Sequence, residues 1–145
     1  MLFRSKADIP PVFIFDSGTM AWNSLQKYPQ ACESGCAAAM KPIYLTPGLG
    51  LSFDKPTSGA AYEEYVSDPA KPVPYVRRPV RWDDADQWRY WLSSDQRHVD
   101  GRPDVLTFVT EPLKAPMKIS GEPVVNLFAS TSGTDSDWVV KLIDV

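Results

Sequence analysis

A chain of 145 residues can form one domain, or part of a larger one. It is long enough to bury a hydrophobic core without disulfides or metal ions to stabilise it. Its formal net charge is −3, and no stretch concentrates lysine and arginine as a nucleic-acid-binding surface requires. No apolar run approaches the roughly 18 residues of a membrane span, and the N-terminus lacks the apolar centre of a signal peptide. We therefore expect no nucleic-acid or membrane partner, while the compartment stays unknown.

Proline and aromatic residues are unusually frequent. The chain has 14 prolines, about twice the usual share of ~5%, together with 5 Trp, 6 Tyr and 6 Phe. Prolines between short runs of β-branched and aromatic residues are typical of a loop-rich all-β sandwich. They argue against a helical bundle or repeated strand–helix units.

The first elements along the chain are predicted strands. Residues 11–16, "PVFIFD", indicate a buried strand that ends at the turn "DSGT". Beyond the turn, Trp22, Leu25 and Tyr28 are spaced three apart, which fits one helical turn or a packed loop. Residues 43–53 predict a hairpin around Pro47 and Gly48.

An irregular segment and one helix are predicted next. Residues 54–81 should be extended and close to polyproline geometry because of their prolines, and Tyr62, Tyr65, Val73 and Tyr75 should pack them in place. A short helix is predicted near residues 84–94, where Trp88, Trp91 and Leu92 share one face. An aromatic face of this kind is typical of core packing, whereas a ligand-stacking platform would need exposed rings.

The last third of the chain carries strand patterns. They lie at residues 104–110, 117–130 and 138–145, with a polar turn "TSGTDSD" before the last one. The final apolar run, "WVVKLIDV", has no return connection. We therefore expect a fold that is incomplete at its C-terminus.

The two cysteines leave alternatives open. Cys32 and Cys36 can close a small disulfide ring if the compartment is oxidising, or remain two inert thiols. A zinc site would need four ligands, and this sequence offers these two thiols and a distant His98. We predict no metal site and no cofactor.

The tests for catalytic chemistry are negative. No serine has glycines two residues before and two after it, as the nucleophile turn of an α/β-hydrolase requires. His98 is the single histidine, and no nucleophile can be identified for it. Asp135 and Asp137 resemble the start of a calcium loop but lack its glycine and distal glutamate, so they indicate a turn. No catalytic residue is predicted.

An ordered series of landmarks gives a family resemblance. "PVFIFDSGTMAWNSLQKYP", "YLTPGLGLSFDKP", "SDPAKPVP", "RPDVLTF" with its following "EPL", and "DSDWVVKLIDV" occur in this order. Together they resemble the C-terminal domain of the X-Pro dipeptidyl-peptidase and cocaine esterase family. The resemblance is strongest to the branch of α-amino-acid ester hydrolases and glutaryl cephalosporin acylases. It covers about residues 9–145, with residues 1–8 as an N-terminal tail.

The resemblance implies a galactose-binding-like jelly-roll β-sandwich. In that family this is the last domain of a larger serine hydrolase, whose α/β-hydrolase domain carries the triad. It implies a non-catalytic role here: to cap the catalytic domain, to shape its acyl pocket and to contribute to homo-oligomer contacts. Family members continue beyond the last strand. Acting on esters or amides is then a property of the parent enzyme, and we expect the isolated chain to be inactive.

Six residues are structural candidates. Asp95 is predicted to close the helix, and Arg102 with Asp104 to hold the corner that follows it. Asp68, Asp137 and Asp144 stand in the family landmarks. The alternative function is a free-standing carbohydrate-binding or adhesion module. Exposure discriminates the two, because an accessory domain should bury most of its tryptophans: Trp22, Trp82, Trp88, Trp91 and Trp138.

Overall fold

The computed structural model describes residues 9–30, 36–57, 62–81, 83, 90 and 93–145. Within these ranges every assigned multi-residue element is a strand, so the protein is all-β as predicted. The chain divides into unit 1, Met1–Ala39 with Met117–Val145, and unit 2, Met40–Pro116. The helix predicted near 84–94 falls mostly outside the described residues. Tyr90 is described and helical, and its carbonyl accepts the Ser93 N–H at 3.0 Å.

Unit 1 contains an antiparallel hairpin of β1 (Val12–Asp16) and β2 (Ala21–Leu25). Phe15 lies opposite Trp22 in its register. The helical turn or packed loop expected around Trp22 and Leu25 is therefore wrong. The Asp16 carboxylate accepts backbone N–H groups from the turn that follows it, which returns the chain along β1. Cross-strand pairing then overrides the spacing of three.

Unit 2 contains a second antiparallel hairpin, β3 (Tyr44–Thr46) and β4 (Gly50–Ser52). This confirms the predicted hairpin, with shorter strands. Its loop turns at Gly48 and Leu49, which have φ angles of 75° and 62°. Positive φ is unfavourable for a leucine, but the three-residue connection between the strands requires left-handed backbone at this position.

The strand predicted at residues 104–110 is reduced to a single parallel bridge between Val109 and Gly50. The Val109 N–H donates to the Leu49 carbonyl at 3.0 Å, and the Leu51 N–H donates to the Val109 carbonyl at 2.8 Å. The strands predicted at 117–130 and 138–145 are not formed. An apolar pattern fits a strand, but a strand also needs a hydrogen-bonded neighbour, and these segments have none in the described chain.

The core of each unit is small. Leu25 in unit 1 and Val99 in unit 2 are the buried apolar residues of the described chain, each 8% exposed. Large apolar side chains of the last segment are exposed instead: Val124, Val125, Leu127, Phe128, Trp138, Val139, Val140, Leu142, Ile143 and Val145. In the proline-rich segment Tyr62, Val73 and Tyr75 are exposed, so their expected packing is wrong, while Tyr65 is half-buried.

Candidate functional site

The corner at residues 95–105 is a succession of turns. The Val99 N–H donates to the Gln96 carbonyl at 3.0 Å, and the Val105 N–H donates to the Arg102 carbonyl at 3.2 Å. Gly101, with φ of 71°, supplies the left-handed step. Within this corner Val99 is buried, at 8% exposed.

Asp95 and His98 meet in this corner without forming a catalytic pair. Arg97 donates hydrogen bonds from its Nε and Nη2 atoms to the Asp95 carboxylate. This ion pair lowers the pKa of Asp95 to about 2. His98 Nδ1 lies 3.1 Å from the Asp95 carbonyl oxygen. His98 Nε2 is buried and has no hydrogen-bond partner within the described residues. No nucleophile reaches the ring there. That Asp95 ends the helix stays a prediction, because most residues of that helix are not described.

Arg102 and Asp104 form the best-defined ion pair of unit 2. Arg102 Nε lies 2.8 Å from Oδ1 of Asp104, and Nη2 lies 2.6 Å from Oδ2, a parallel fork. The two side chains are 33% and 10% exposed. The pair raises the pKa of Arg102 and lowers that of Asp104. Arg102 Nη2 also donates to the Lys71 carbonyl at 3.5 Å, which ties the corner to the proline-rich segment.

Asp68 forms the turn that presents this carbonyl. Its Oδ1 accepts the Ala70 N–H at 2.9 Å, and its own carbonyl accepts the Lys71 N–H at 2.9 Å. Asp68, Arg102 and Asp104 are therefore joined through Lys71. Asp137 and Asp144 are exposed and form no ion pair within the described chain.

Cys36 is disulfide-bonded. It lies beside a bridge between Gln30 and Ala37, and the buried Gln30 accepts the Lys27 N–H at 3.2 Å through its Oε1 atom. Cys32 lies outside the described residues, so its pairing with Cys36 stays a prediction.

Asp16 is the charged residue that the sequence interpretation missed. Its Oδ1 accepts the Gly18 and Thr19 N–H groups at 3.0 and 3.1 Å, and Lys118 Nζ lies 2.5 Å from its Oδ2. The Lys118 contact is the largest cause that lowers the pKa of Asp16 to about 2. An aspartate that opens a glycine turn could have been singled out from sequence. Its partner lies 102 residues away, and no local pattern identifies it.

A second contact joins the same two parts of unit 1. The Gly121 N–H donates to the Tyr28 hydroxyl at 2.9 Å. Gly121 has φ of 110°, and a Cβ atom there would lie 3.4 Å from the Pro29 ring. Residues 118–121 are therefore held at two points, by Asp16 at the end of β1 and by Tyr28 beyond β2.

One face of the β1–β2 hairpin carries an exposed aromatic cluster. Trp22 stacks on Phe13 with ring centroids 4.8 Å apart and contacts Phe15 edge-on at 5.4 Å. Phe13, Phe15 and Trp22 are 55%, 42% and 60% exposed, and Trp138 is 44% exposed. The expectation that the tryptophans are buried is thus wrong for Trp22 and Trp138. Trp82, Trp88 and Trp91 lie outside the described residues.

Neither a metal centre nor a spanning helix emerges from the described ranges. No group of three or more His, Cys, Asp or Glu side chains is placed there to hold a metal ion. No helix in them is long and apolar enough to cross a membrane.

Comparison with known proteins gives concordant matches. Residues 5–145 match the family model described as the X-Pro dipeptidyl-peptidase C-terminal non-catalytic domain. Cocaine esterase of Rhodococcus sp. is 31% identical over an alignment of 147 positions, which covers 96% of this chain and 24% of that protein.

Two solved structures share the fold. A selenomethionine-labelled α-amino acid ester hydrolase matches 81% of this chain with 58% identity and a TM-score of 0.72. An aminopeptidase of a marine-sediment Thaumarchaeota archaeon matches 77% with 39% identity and a TM-score of 0.64. The chain spans about a fifth of each of these proteins, 19% and 17%.

Proposed function

Because the chain belongs to the family of X-Pro dipeptidyl-peptidase C-terminal non-catalytic domains, we propose that it serves as an accessory β-domain of a serine hydrolase. The hydrolase acts on esters or amides, including acylase substrates, and supplies the α/β-hydrolase catalytic domain. Two of the similar proteins are an esterase and an ester hydrolase by name. The absence of a G-x-S-x-G turn from the sequence supports a role without a nucleophile of its own.

The proposed domain fold is a galactose-binding-like jelly roll, of which residues 9–145 form a part. The two antiparallel hairpins support this proposal, since jelly rolls are built from antiparallel strands. Residues 123–129 and 138–145 have the length and apolar content of further strands but lack neighbours in the described chain. In the proposed sandwich, neighbouring strands of the full-length enzyme pair with them.

The observation that carries the proposal is the exposed apolar surface on a chain of a non-catalytic family. Phe128 is fully exposed, and Trp22 and Val139 are more than half exposed. Exposed apolar patches mark surfaces that bind another polypeptide. The proposed domain uses its surface to cap the catalytic domain, to form one wall of the acyl pocket and to contribute to homo-oligomer contacts.

A chimera tests this proposal. The α-amino acid ester hydrolase would receive this chain in place of its matching segment, and the isolated chain would be assayed beside it. We expect ester hydrolysis by the chimera and none above background by the isolated chain. Turnover by the isolated chain that an active-site serine reagent abolishes would overturn the non-catalytic assignment.

The pocket-shaping role has a separate readout. If this domain forms a wall of the acyl pocket, the chimera should differ from the parent hydrolase in its ratio of kcat/KM for a small and a bulky acyl group. An unchanged ratio in an active chimera would leave the capping role and remove the pocket role.

A carbohydrate-binding module is the second candidate, and the exposed Phe13–Trp22 pair favours it. Sugars stack on flat exposed aromatic faces, and Trp22 is 60% exposed. However, the stacked Phe13 ring occupies one Trp22 face, and the edge of Phe15 lies against the same side chain. Glycan-array binding by the isolated chain that is lost in Trp22→Ala would favour this candidate.

A further inference from the structure

We propose that a disulfide between Cys32 and Cys36 is a reducible clasp that holds Tyr28 against Gly121, and that a dithiol reductant loosens this contact by opening the disulfide. The inference goes beyond the proposed function and does not rest on it. The contacts that carry it all lie within unit 1.

The partner of Cys36 follows from the cysteine count. Cys36 is disulfide-bonded and the sequence holds two cysteines, so we assign Cys32 as its partner. The bond then closes the chain over residues 32–36. A covalently closed loop cannot explore the open conformations of a free chain, which keeps the residues on either side of it close together.

The residues that flank this loop form a backbone bridge. Gln30 and Ala37 pair in an isolated antiparallel bridge outside the named strands. A single bridge sets few hydrogen bonds against the conformational entropy of the loop that it closes. Because the disulfide inside the loop reduces that entropy, the bridge depends on the disulfide.

The bridge fixes Gln30, and the Gln30 side chain fixes the turn before it. Gln30 is 3% exposed, and its Oε1 atom accepts the Lys27 N–H at 3.2 Å. The two residues enclosed by this hydrogen bond, Tyr28 and Pro29, are the ones that contact Gly121. The Tyr28 hydroxyl accepts the Gly121 N–H at 2.9 Å, and a Cβ atom at Gly121 would lie 3.4 Å from the Pro29 ring. A contiguous series of contacts therefore runs from the disulfide to Gly121.

The disulfide can be reduced in the folded protein. Cys36 is exposed, and exposed disulfides are more readily reduced than buried ones. A thiolate of the dithiol attacks one sulfur, which breaks the S–S bond and leaves a mixed disulfide and one free cysteine thiolate. The second thiol of the reductant then displaces the other protein sulfur. The reductant leaves as its own disulfide, and its two electrons and two protons end on Cys32 and Cys36 as thiols.

Amide exchange at Gly121 tests the inference in the full 145-residue chain. Nuclear magnetic resonance follows the exchange rate of this amide in the oxidised chain and after reduction with dithiothreitol. Peptide mass spectrometry after alkylation records the state of both cysteines. We expect reduction to accelerate exchange at Gly121 several-fold. The Leu51 amide, which donates to the Val109 carbonyl in unit 2, is the internal control and should keep its rate.

Two variants identify the bonds that carry the effect. The double variant Cys32→Ser, Cys36→Ser should exchange at Gly121 as the reduced chain does and should not respond to dithiothreitol. Tyr28→Phe should exchange fast at Gly121 in the oxidised chain already, with little further acceleration on reduction.

Four outcomes would overturn the inference. The first is an exchange rate at Gly121 that is the same in the oxidised and the reduced chain, whether the amide is protected in both or in neither. The second is an equal acceleration at Leu51, because reduction would then loosen the chain as a whole. The third is a full response to dithiothreitol in Tyr28→Phe or in the double variant. The fourth is a free thiol at both cysteines of the air-oxidised chain.

Discussion

Asp16 joins a turn to a distant segment through one carboxylate. Its two oxygens accept the Gly18 and Thr19 N–H groups and bind Lys118. These contacts favour the ionised form in the folded protein, which is why the pKa of Asp16 falls to about 2. The stabilisation is therefore present above the unfolded-state pKa of about 3.9 and is lost as the pH falls towards 2.

The substitution Asp16→Asn should lower the thermal midpoint of the chimera at pH 7, because the amide cannot pair with Lys118. The difference from the unsubstituted chimera should shrink as the pH falls from about 4 towards 2, because the wild-type carboxylate becomes increasingly protonated as the pH approaches its pKa. Calorimetry at several pH values across this range measures the difference in thermal midpoint. Asp137→Asn is the matched control, since Asp137 is exposed and forms no ion pair in the described chain. A pH-independent difference would contradict the assigned role of Asp16.

Lysine should not preserve the stabilising role of Arg102. Lys keeps the charge but loses the fork that places two nitrogens on Asp104, and it cannot also reach the Lys71 carbonyl in that geometry. We expect Arg102→Lys to lower the midpoint nearly as much as Arg102→Ala. The exposed Arg97→Lys is the control and should change little, because Arg97 is 82% exposed. Equal effects at the two positions would count against the corner assignment.

The close pairing of β3 with β4 requires glycine at position 50. A Cβ atom there would lie 2.5 Å from Thr46 Oγ1, its cross-strand partner. Gly50→Ala should therefore cost about 1–3 kcal/mol, as overpacking typically does. Thr46→Ala in the same protein removes the clashing oxygen and should restore part of the loss. Denaturant unfolding of the two variants and of the double variant measures the coupling, and additive effects would refute this explanation.

The contact between Tyr28 and Gly121 is a second test of how the elements are held. Tyr28→Phe removes only the hydroxyl that accepts the Gly121 N–H and should cost about 1 kcal/mol. Hydrogen exchange of residues 118–121 should accelerate in the same variant. Exchange rates unchanged from wild type would show that these residues are held by other contacts.

The elements also show how far the sequence is predictive. The strand at residues 11–16 and the hairpin around Gly48 were predicted from β-branched runs and turn residues, which are local signals. The second strand of the first hairpin was not predicted, because the spacing of Trp22, Leu25 and Tyr28 suits a helix as well as a hairpin. The Asp16–Lys118 and Tyr28–Gly121 contacts span 102 and 93 residues, and only the folded chain brings these residues together.

At the scale of the whole molecule, family and fold class follow from the order of the landmarks rather than from any single motif. The landmark series indicated the X-Pro dipeptidyl-peptidase C-terminal domain, and the match over residues 5–145 confirms it. The burial of the tryptophans was not predictable in the same way. Exposure depends on which segments pack together in the folded chain, and no local pattern around Trp22 or Trp138 specifies that packing.

The exposed apolar surface gives a measurable property of the isolated chain. A hydrophobic dye such as anilinonaphthalene sulfonate should bind it strongly, because Phe128, Val139 and Ile143 are more than half exposed. The chimera, in which the proposed catalytic domain and strands cover this surface, should bind several-fold less dye per mole. Equal dye binding by both proteins would show that the surface stays open.

The most direct test of the accessory-domain assignment compares kcat/KM for ester hydrolysis among three proteins: the α-amino acid ester hydrolase, the same enzyme without its matching segment, and the chimera carrying this chain. We expect deletion to abolish soluble activity and this chain to restore it to within about tenfold, a difference of about 1.4 kcal/mol in transition-state stabilisation. A soluble deletion enzyme with full activity, or a chimera as inactive as the deletion, would contradict it.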